Sequence, residues 1–297
     1  IATGIAVAAV VFMPIASGAQ TAAEGQTAQQ QMPTVTVTAP QAAPEIPPVS
    51  PQIERYSPPN TIVSTDRQRI DQTVNSVDAE DAVKYLPSLF LRKRNEGDTQ
   101  AVLATRTWGV NSSARSLVYV DDIPISALIA NNNTLGAPRW GVISPAEIDR
   151  VDMLYGPYSA AYPGNAIGGV LRIITRTPEK TEVTLQQTQT LQSFDLYATH
   201  ASYPTSQTSA TAGGRSGAWS WFVGANLEDT FSQPLAFITS ASPPAGSSGA
   251  IIAANKLGKP ADVLGAGGLL HSRMGNLNGK FSYDLSPTLR ATYLIGY

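Results

Sequence analysis

Side chains able to do covalent chemistry are scarce in this chain of 297 residues, which has no Cys and only two His, His200 and His271. Disulfides, thiolate metal centres and catalysis by cysteine or histidine therefore have almost no material to work with. The tempting carboxylate pairs are Asp121 with Asp122 and Asp149 with Asp152. Acid–base catalysis would need a nucleophile or imidazole partnered with them, and none accompanies either pair. The plainer readings are a turn for the first pair and the exposed face of a helix–strand junction for the second. Gly164, Gly168 and Gly169 precede a strand-like run instead of opening a helix, and the Gly-x-x-x-x-Gly-Lys-Ser/Thr phosphate loop is absent. No enzyme, catalytic residue, resident metal or cofactor is expected.

Charge excludes another class. Lys and Arg number 20 against 22 Asp and Glu, and 14% of residues are charged, where a soluble domain has about 25%. A nucleic-acid partner is not expected from such a surface. The missing charge is replaced by Thr, Ser, Gln, Asn and Gly, a composition suited to half-buried strands or exposed loops.

The elements that would carry a function begin after a long approach. Residues 1–19 combine a nearly uninterrupted apolar run with the small residues Ala16-Ser17-Gly18-Ala19, too short for a spanning helix of about 20 residues. They read as the core and cleavage site of a secretory signal. No later stretch reaches spanning length, so membrane insertion would have to use strands. Residues 20–59 begin as a polar, featureless segment expected to be disordered. Within them Thr34-Val35-Thr36-Val37-Thr38-Ala39 alternates with period two, as an extended strand does. It stands alone before a proline-rich tether, so it is either linker or a strand for another protein's sheet edge.

From 60 to 178 the pattern is mixed. Asn75-Ser76 followed by Asp78, Glu80 and Asp81 places capping residues and acids where a helix dipole favours them, with Val77, Val83 and Leu86 as apolar positions, which predicts a helix ended by Pro87. Leu117–Val120 is a short strand closed by an Asp121-Asp122 turn. Ser144-Pro145-Ala146-Glu147 is a capping box opening a brief helix. It feeds Val151–Tyr155, and the Gly-rich return leads to Val170–Thr175.

Leu86-Pro87-Ser88, Arg106-Thr107-Trp108-Gly109, Val118-Tyr119-Val120-Asp121-Asp122-Ile123-Pro124-Ile125, Glu147–Asp152, Gly156-Pro157-Tyr158-Ser159-Ala160-Ala161-Tyr162 and Ala166–Thr175 resemble, in order and spacing, the plug domain of TonB-dependent outer-membrane receptors. The resemblance implies that Thr34–Ala39 is the TonB box, the segment paired by TonB of the inner-membrane energy-transducing complex. It implies a location in the bacterial outer membrane, with membrane lipid and an external small ligand such as a metal chelate as partners. Two departures stand out. The family usually carries Arg where this chain has Tyr155, and an Arg-Gly pair where it has Arg106-Thr107. In relatives these arginines are held to pair with barrel carboxylates, a plug–barrel contact that Arg106 alone could make here.

Beyond 178 the pattern becomes long alternation. Val183, Leu185 and Leu191 alternate with Thr184, Gln186, Thr190 and Gln192, loosened by Gln187 and Gln189. Trp219, Trp221, Val223, Ala225 and Leu227 share one face, with Phe222 the exception on the other, and Leu277–Tyr297 repeats the pattern around Ser286-Pro287. Leu196–Ala212, with Pro204 inside it, is the least regular. Such strands suit a transmembrane barrel, although a soluble sandwich alternates in the same way. The short turn at 285–288 and the long segment 230–272 match periplasmic turns and outer loops. The fold expected is thus a small mixed α/β plug followed by the first strands of an antiparallel barrel at 179–297. About five strands are legible where plugged transporters of this kind have about 22, so the chain is expected to be a fragment.

The expected function is energy-coupled import of a scarce ligand, with a ferric siderophore the leading class and cobalamin, haem or carbohydrate as others. A passive pore or adhesin is the alternative. By the resemblance, ligand contacts fall on two outward plug loops, 92–100 with Asn95 and Gln100, and 127–140 with Asn131, Asn132, Asn133, Arg139 and Trp140. Amides, a cation and an aromatic face suit a polar or anionic chelate, whereas an Asn cluster alone also suits a plain turn.

Overall fold

The computed structural model describes residues 61–98, 100–106, 115–126, 137–155, 162–164, 166–255 and 257–297. The expected signal, the disordered segment, the TonB box at 34–39 and the asparagines 131–133 lie outside them.

The first part is built on a five-stranded mixed sheet. Its strands are β1 (Ile62–Asp66), β4 (Ser116–Val120), β5 (Ile123–Pro124), β6 (Ile148–Leu154) and β7 (Gly169–Thr175), in the order β1-β6-β7-β4-β5. β4 and β7 run parallel and the other neighbours antiparallel. The central strands are apolar in near-continuous runs because both faces are covered. One face packs on Ile70, Val83, Leu86, Leu103, Trp140 and Ile143, the other on Ala166 and Tyr162. A hairpin of β2 (Leu89–Arg92) and β3 (Val102–Thr105) completes this part.

The turn read at Asp121-Asp122 joins β4 to β5. Both residues have positive φ, 45° and 71°, as the right-twisted two-residue hairpin requires. The helix expected after Asn75 is instead a single 3-10 turn, Ala79–Val83, closed by a capping box between Asp78 and Asp81. The Asp81 carboxylate accepts from the backbone N–H of Val77 and of Asp78, both at 3.0 Å. The α-helix of this region lies earlier, α1 (Arg67–Thr73), with Asp66 as its N-cap accepting from the Arg69 N–H at 2.8 Å. The Ser144 capping box is present and also encloses only a 3-10 turn, Pro145–Glu147.

After β7 the chain enters an antiparallel meander of β8 (Glu182–Leu196), β9 (Thr199–Ser216), β10 (Trp219–Phe231), β14 (His271–Ser286) and β15 (Leu289–Gly296), side by side in that order. The irregular stretch around Pro204 is strand throughout. Its pairing with β10 ends at Thr205, so Pro204 lies beyond that ladder, where a missing N–H is tolerated. The long segment after β10, read as loop, carries a small sheet of β11 (Ala236–Ser240), β13 (Pro260–Gly267) and β12 (Ile251–Ala254).

The meander is polar inside and apolar outside. Gln207 and Thr211 are each 3% exposed against the first part, whereas Leu185 and Leu227, on the opposite face, are 74% and 68% exposed. A soluble sandwich would bury the leucines. A sheet that shows them outward and encloses hydroxyls and amides is a barrel wall facing lipid. The tilted Trp219–Tyr283 pair, with centroids 4.6 Å apart, sits at one end of that wall, where aromatic girdles lie.

Candidate functional site

One seat of the mixed domain on the wall is built by a single strand. On β14 the inward residues Asn276, Asn278 and Lys280 follow one another with the strand period of two, and all three are donors. Asn276 Nδ2 donates to Gly141 O at 2.9 Å, and Asn278 Nδ2 to Val142 O at 2.8 Å and to Glu147 Oε2 at 2.9 Å. Lys280 Nζ donates to Thr175 O at 3.1 Å and pairs with Asp121 Oδ2 at 3.3 Å. The turn aspartate of the β4–β5 hairpin thus doubles as a docking group.

The facing strand is cut to fit. Gly224 is paired with Asn278, and a Cβ there would lie 2.6 Å from Glu147 Cγ. Phe222, paired with Lys280, is buried, and its ring lies 5.6 Å beneath the Arg176 guanidinium. This accounts for the exception in the β10 alternation, since the ring serves as an inward cation–π platform. Burial pushes the Glu147 carboxyl above its ordinary pKa, and the Ser144 and Asn278 hydrogen bonds oppose it.

A second contact forms at the opposite end of β10, where the loop 93–100 meets the wall. The Lys93 ammonium lies 2.5 Å from Asp78 Oδ2, 3.1 Å from Asp81 Oδ2 and 3.5 Å from Glu96 Oε2. Burial disfavours that charge, yet Asp78, Glu80, Asp81 and Glu96 together hold it above the ordinary lysine pKa. Glu80 is 0% exposed and neither of its oxygens has a hydrogen-bond partner. Burial, reinforced by Asp78, drives its carboxyl well above its ordinary value. Asp78, Asp81 and Glu96 are spaced as metal ligands could be, but the ammonium sits among them as the resident cation.

The loop is pinned to the wall by backbone carbonyls. Thr230 Oγ1 donates to Glu96 O at 2.9 Å, and Gln233 Nε2 to Arg94 O at 2.7 Å. Gly97 permits this approach. Its φ is 71°, its N–H donates to Asp78 Oδ2 at 3.0 Å, and a Cβ would lie 2.3 Å from Glu228 Oε1. Within the loop Asp98 accepts from the Arg94 N–H and guanidinium and from the Gln100 N–H.

The residues singled out in the sequence separate into groups. Asn95 and Gln100 lie in this loop, Asn95 largely buried with Nδ2 on Glu96 O at 2.6 Å and Oδ1 unpartnered. Arg139 is exposed, its N–H on Ile125 O at 3.0 Å. Trp140 departs from the expected outward aromatic. It is 1% exposed in the core, and its Nε1 donates to Ala101 O at 2.9 Å, so its ring is closed to ligand. Arg106 is exposed and pairs with no carboxylate among the described residues. At Tyr155, where the family usually has Arg, the hydroxyl donates to Pro87 O.

The donor row on β14 and the Lys93 hub were not singled out from sequence. Asn278 and Lys280 were legible as part of a polar face alternating with Leu277 and Phe281, but nothing local distinguishes a donor aimed at a backbone carbonyl from one facing water.

Residues 54–170 match the TonB-dependent receptor plug domain family. The vitamin B12 transporter BtuB of Vibrio vulnificus is 30% identical over 105 residues, 35% of this chain and 16% of that protein. The ferric enterobactin receptor PirA of Pseudomonas aeruginosa is 34% identical over 70 residues, 21% of this chain and 9% of that protein. Among solved structures, a variant of the Pseudomonas aeruginosa ferric enterobactin receptor PfeA in complex with enterobactin superposes with a TM-score of 0.54 at 18% identity, covering 79% of this chain and 32% of that one. The siderophore receptor PirA of Acinetobacter baumannii gives 0.54 at 16% identity, covering 82% and 32%. The chain therefore spans about a third of the length of these structures.

Proposed function

The chain carries the plug domain and barrel strands of a TonB-dependent receptor, a protein of the bacterial outer membrane, and from that premise we propose that it imports an external ligand by energy-coupled transport. The observation that carries this reading is a plug domain held against a lipid-facing wall by hydrogen bonds and ion pairs with no covalent link beyond the chain itself. A passive pore has no use for such an obstruction. A receptor does, because the plug holds the passage shut until work is done on it.

The work enters, in this reading, at Thr34–Ala39. An isolated strand can add to the sheet edge of TonB through main-chain hydrogen bonds, which give affinity with little demand on side chains. The ligand class proposed is a ferric siderophore, supported by relatives named for ferric enterobactin and by the exposed Arg139 in the described part of the plug segment 127–140. Asn95, Gln100, Asn131, Asn132, Asn133 and Arg139 are the contacts proposed, with Trp140 withdrawn into the core.

Val37→Pro removes a backbone donor from the pairing strand. Energised uptake of a radiolabelled ferric siderophore by cells should be lost while binding at the surface persists. Uptake that continues in this variant, or after collapse of the proton gradient, would refute the energy-coupled reading. In the same assay Arg139→Ala should weaken binding, and unchanged affinity would remove Arg139 from the site.

A further inference from the structure

Carboxyls outnumber cations in the seam between loop 93–100 and the wall. The 3-10 turn supplies Asp78, Glu80 and Asp81, the loop supplies Glu96, and β10 supplies Glu228 from its inward face. Among the described residues Lys93 is the one ammonium set against these five. Arg94, the loop's other cation, is already closed on Asp98 at 2.6 Å. The remaining charged groups of the elements packed on the turn are engaged elsewhere or exposed. On β6 Arg150 pairs with Asp152 at 3.0 Å and Asp149 is exposed, Glu147 takes hydrogen bonds from Ser144 and Asn278, and Arg92 at the end of β2 is exposed.

Donors are shared unequally among the five. Asp81 accepts from the N–H of Val77 and of Asp78, Asp78 accepts from the N–H of Gly97, and both touch the ammonium. Glu80 has no donor on either oxygen. Glu228 is 5% exposed, with no partner on Oε1 and only Gln207 Nε2, at 3.5 Å, on Oε2. An ionised carboxylate is costly in such a place, and a protonated one far less so.

The loop sits directly on these groups. A Cβ at Gly97 would lie 2.3 Å from Glu228 Oε1 and 2.4 Å from Thr230 Cγ2, so water that hydrates that oxygen has to displace the loop backbone. The loop's ties to the wall, from Thr230 to Glu96 O and from Gln233 to Arg94 O, are uncharged and singly weak. Further charge in the seam and contact with the wall are therefore alternatives.

We propose that the seam is a proton-dependent clasp, in which loop 93–100 stays on the wall while Glu80 and Glu228 are neutral and lifts from it when they ionise. The closed form then holds more protons than the open one, so raising pH opens the clasp and lowering pH closes it. Closure has an acid limit as well, since protonating Asp78 or Asp81 takes a partner from Lys93. The loop carries Asn95 and Gln100, so the proton count decides whether this stretch of the plug is held or free. The inference requires only the seam, and it holds whatever ligand the receptor takes and whether or not TonB acts on it.

The test is hydrogen–deuterium exchange of the full receptor in nanodiscs between about pH 6 and 9, with each rate divided by that of the unstructured sequence at the same pH. Protection of the amides at 94–98 should fall by up to about tenfold per pH unit for each proton released, while the doubly paired strand at 221–227 keeps its own. Glu80→Gln with Glu228→Gln retains both shapes without the titration, and its loop should stay protected across the range. Wild-type protection that is flat with pH, a fall shared by 221–227, or a fall that survives in the double variant would overturn the proposal. The wild-type profile needs no substitution and decides alone should the double variant fail to fold.

Discussion

At the scale of single residues, the Lys93 hub is the place where protons and stability are coupled. Glu80 is buried beside Asp78, Asp81 and Lys93, and its carboxyl titrates well above its ordinary 4.5. In the unfolded chain it would titrate near that ordinary value. Above pH 4.5 the folded form therefore holds more protons than the unfolded one, and this group's contribution to stability falls as pH rises, by at most about 1.4 kcal/mol per pH unit. Glu80→Gln keeps the shape and removes the titration. Thermal unfolding of the receptor between pH 4.5 and 8 should show a shallower decline in the variant, and parallel curves would exclude Glu80 as the source. Little of this was legible beforehand. The acids after Ser76 read as helix-dipole partners because local spacing is all a sequence displays, whereas their ammonium arrives from a hairpin twelve residues on. Trp140 failed for the same reason, since the carbonyl of Ala101 that claims its indole N–H is 39 residues away.

At the scale of elements, alternation was the reliable guide. Period two located the meander strands and placed Phe222 on the face opposite the tryptophans. Why a large aromatic sat among polar residues became clear only with Arg176 above it. The helical elements were less faithful, because both capping boxes closed on 3-10 turns, and a cap specifies where a helix starts but not how far it runs. For β14 the consequence is quantitative. Asn278→Ala removes the donor to the exposed Val142 O and to Glu147 Oε2, and leaving the buried Glu147 oxygen without a partner costs about 1–3 kcal/mol. Hydrogen exchange of the backbone amides at 141–147 should speed up accordingly, with the barrel amides unaffected. Unchanged protection there would mean that water replaces the amide without loss.

At the scale of the whole molecule, the strands of the meander are ordered by a solvent that is not water. The low charge follows from this, since one face of each strand meets lipid and the other a packed plug. Val223 lies on the outward face midway between the Trp219 and Leu227 rows. Val223→Arg should therefore cost about 2–4 kcal/mol on folding into a bilayer. The measurement is urea-dependent folding into phospholipid vesicles, followed by the heat-sensitive gel mobility of barrels. A change under about 0.5 kcal/mol, as on the surface of a soluble protein, would refute the lipid-facing assignment of this row.

The three rungs that β14 extends to the plug also have a mechanical meaning. They are spaced along the strand at roughly 6.8 Å, two residues apart. A load directed along the strand stretches all of them together, so the seat resists as the sum of its parts. A load that lifts one end meets Lys280, Asn278 and Asn276 one after another, and each yields at the strength of a single rung. The same contacts are thus stiffer to sliding than to peeling, and for this seat the direction of a pull matters as well as its size.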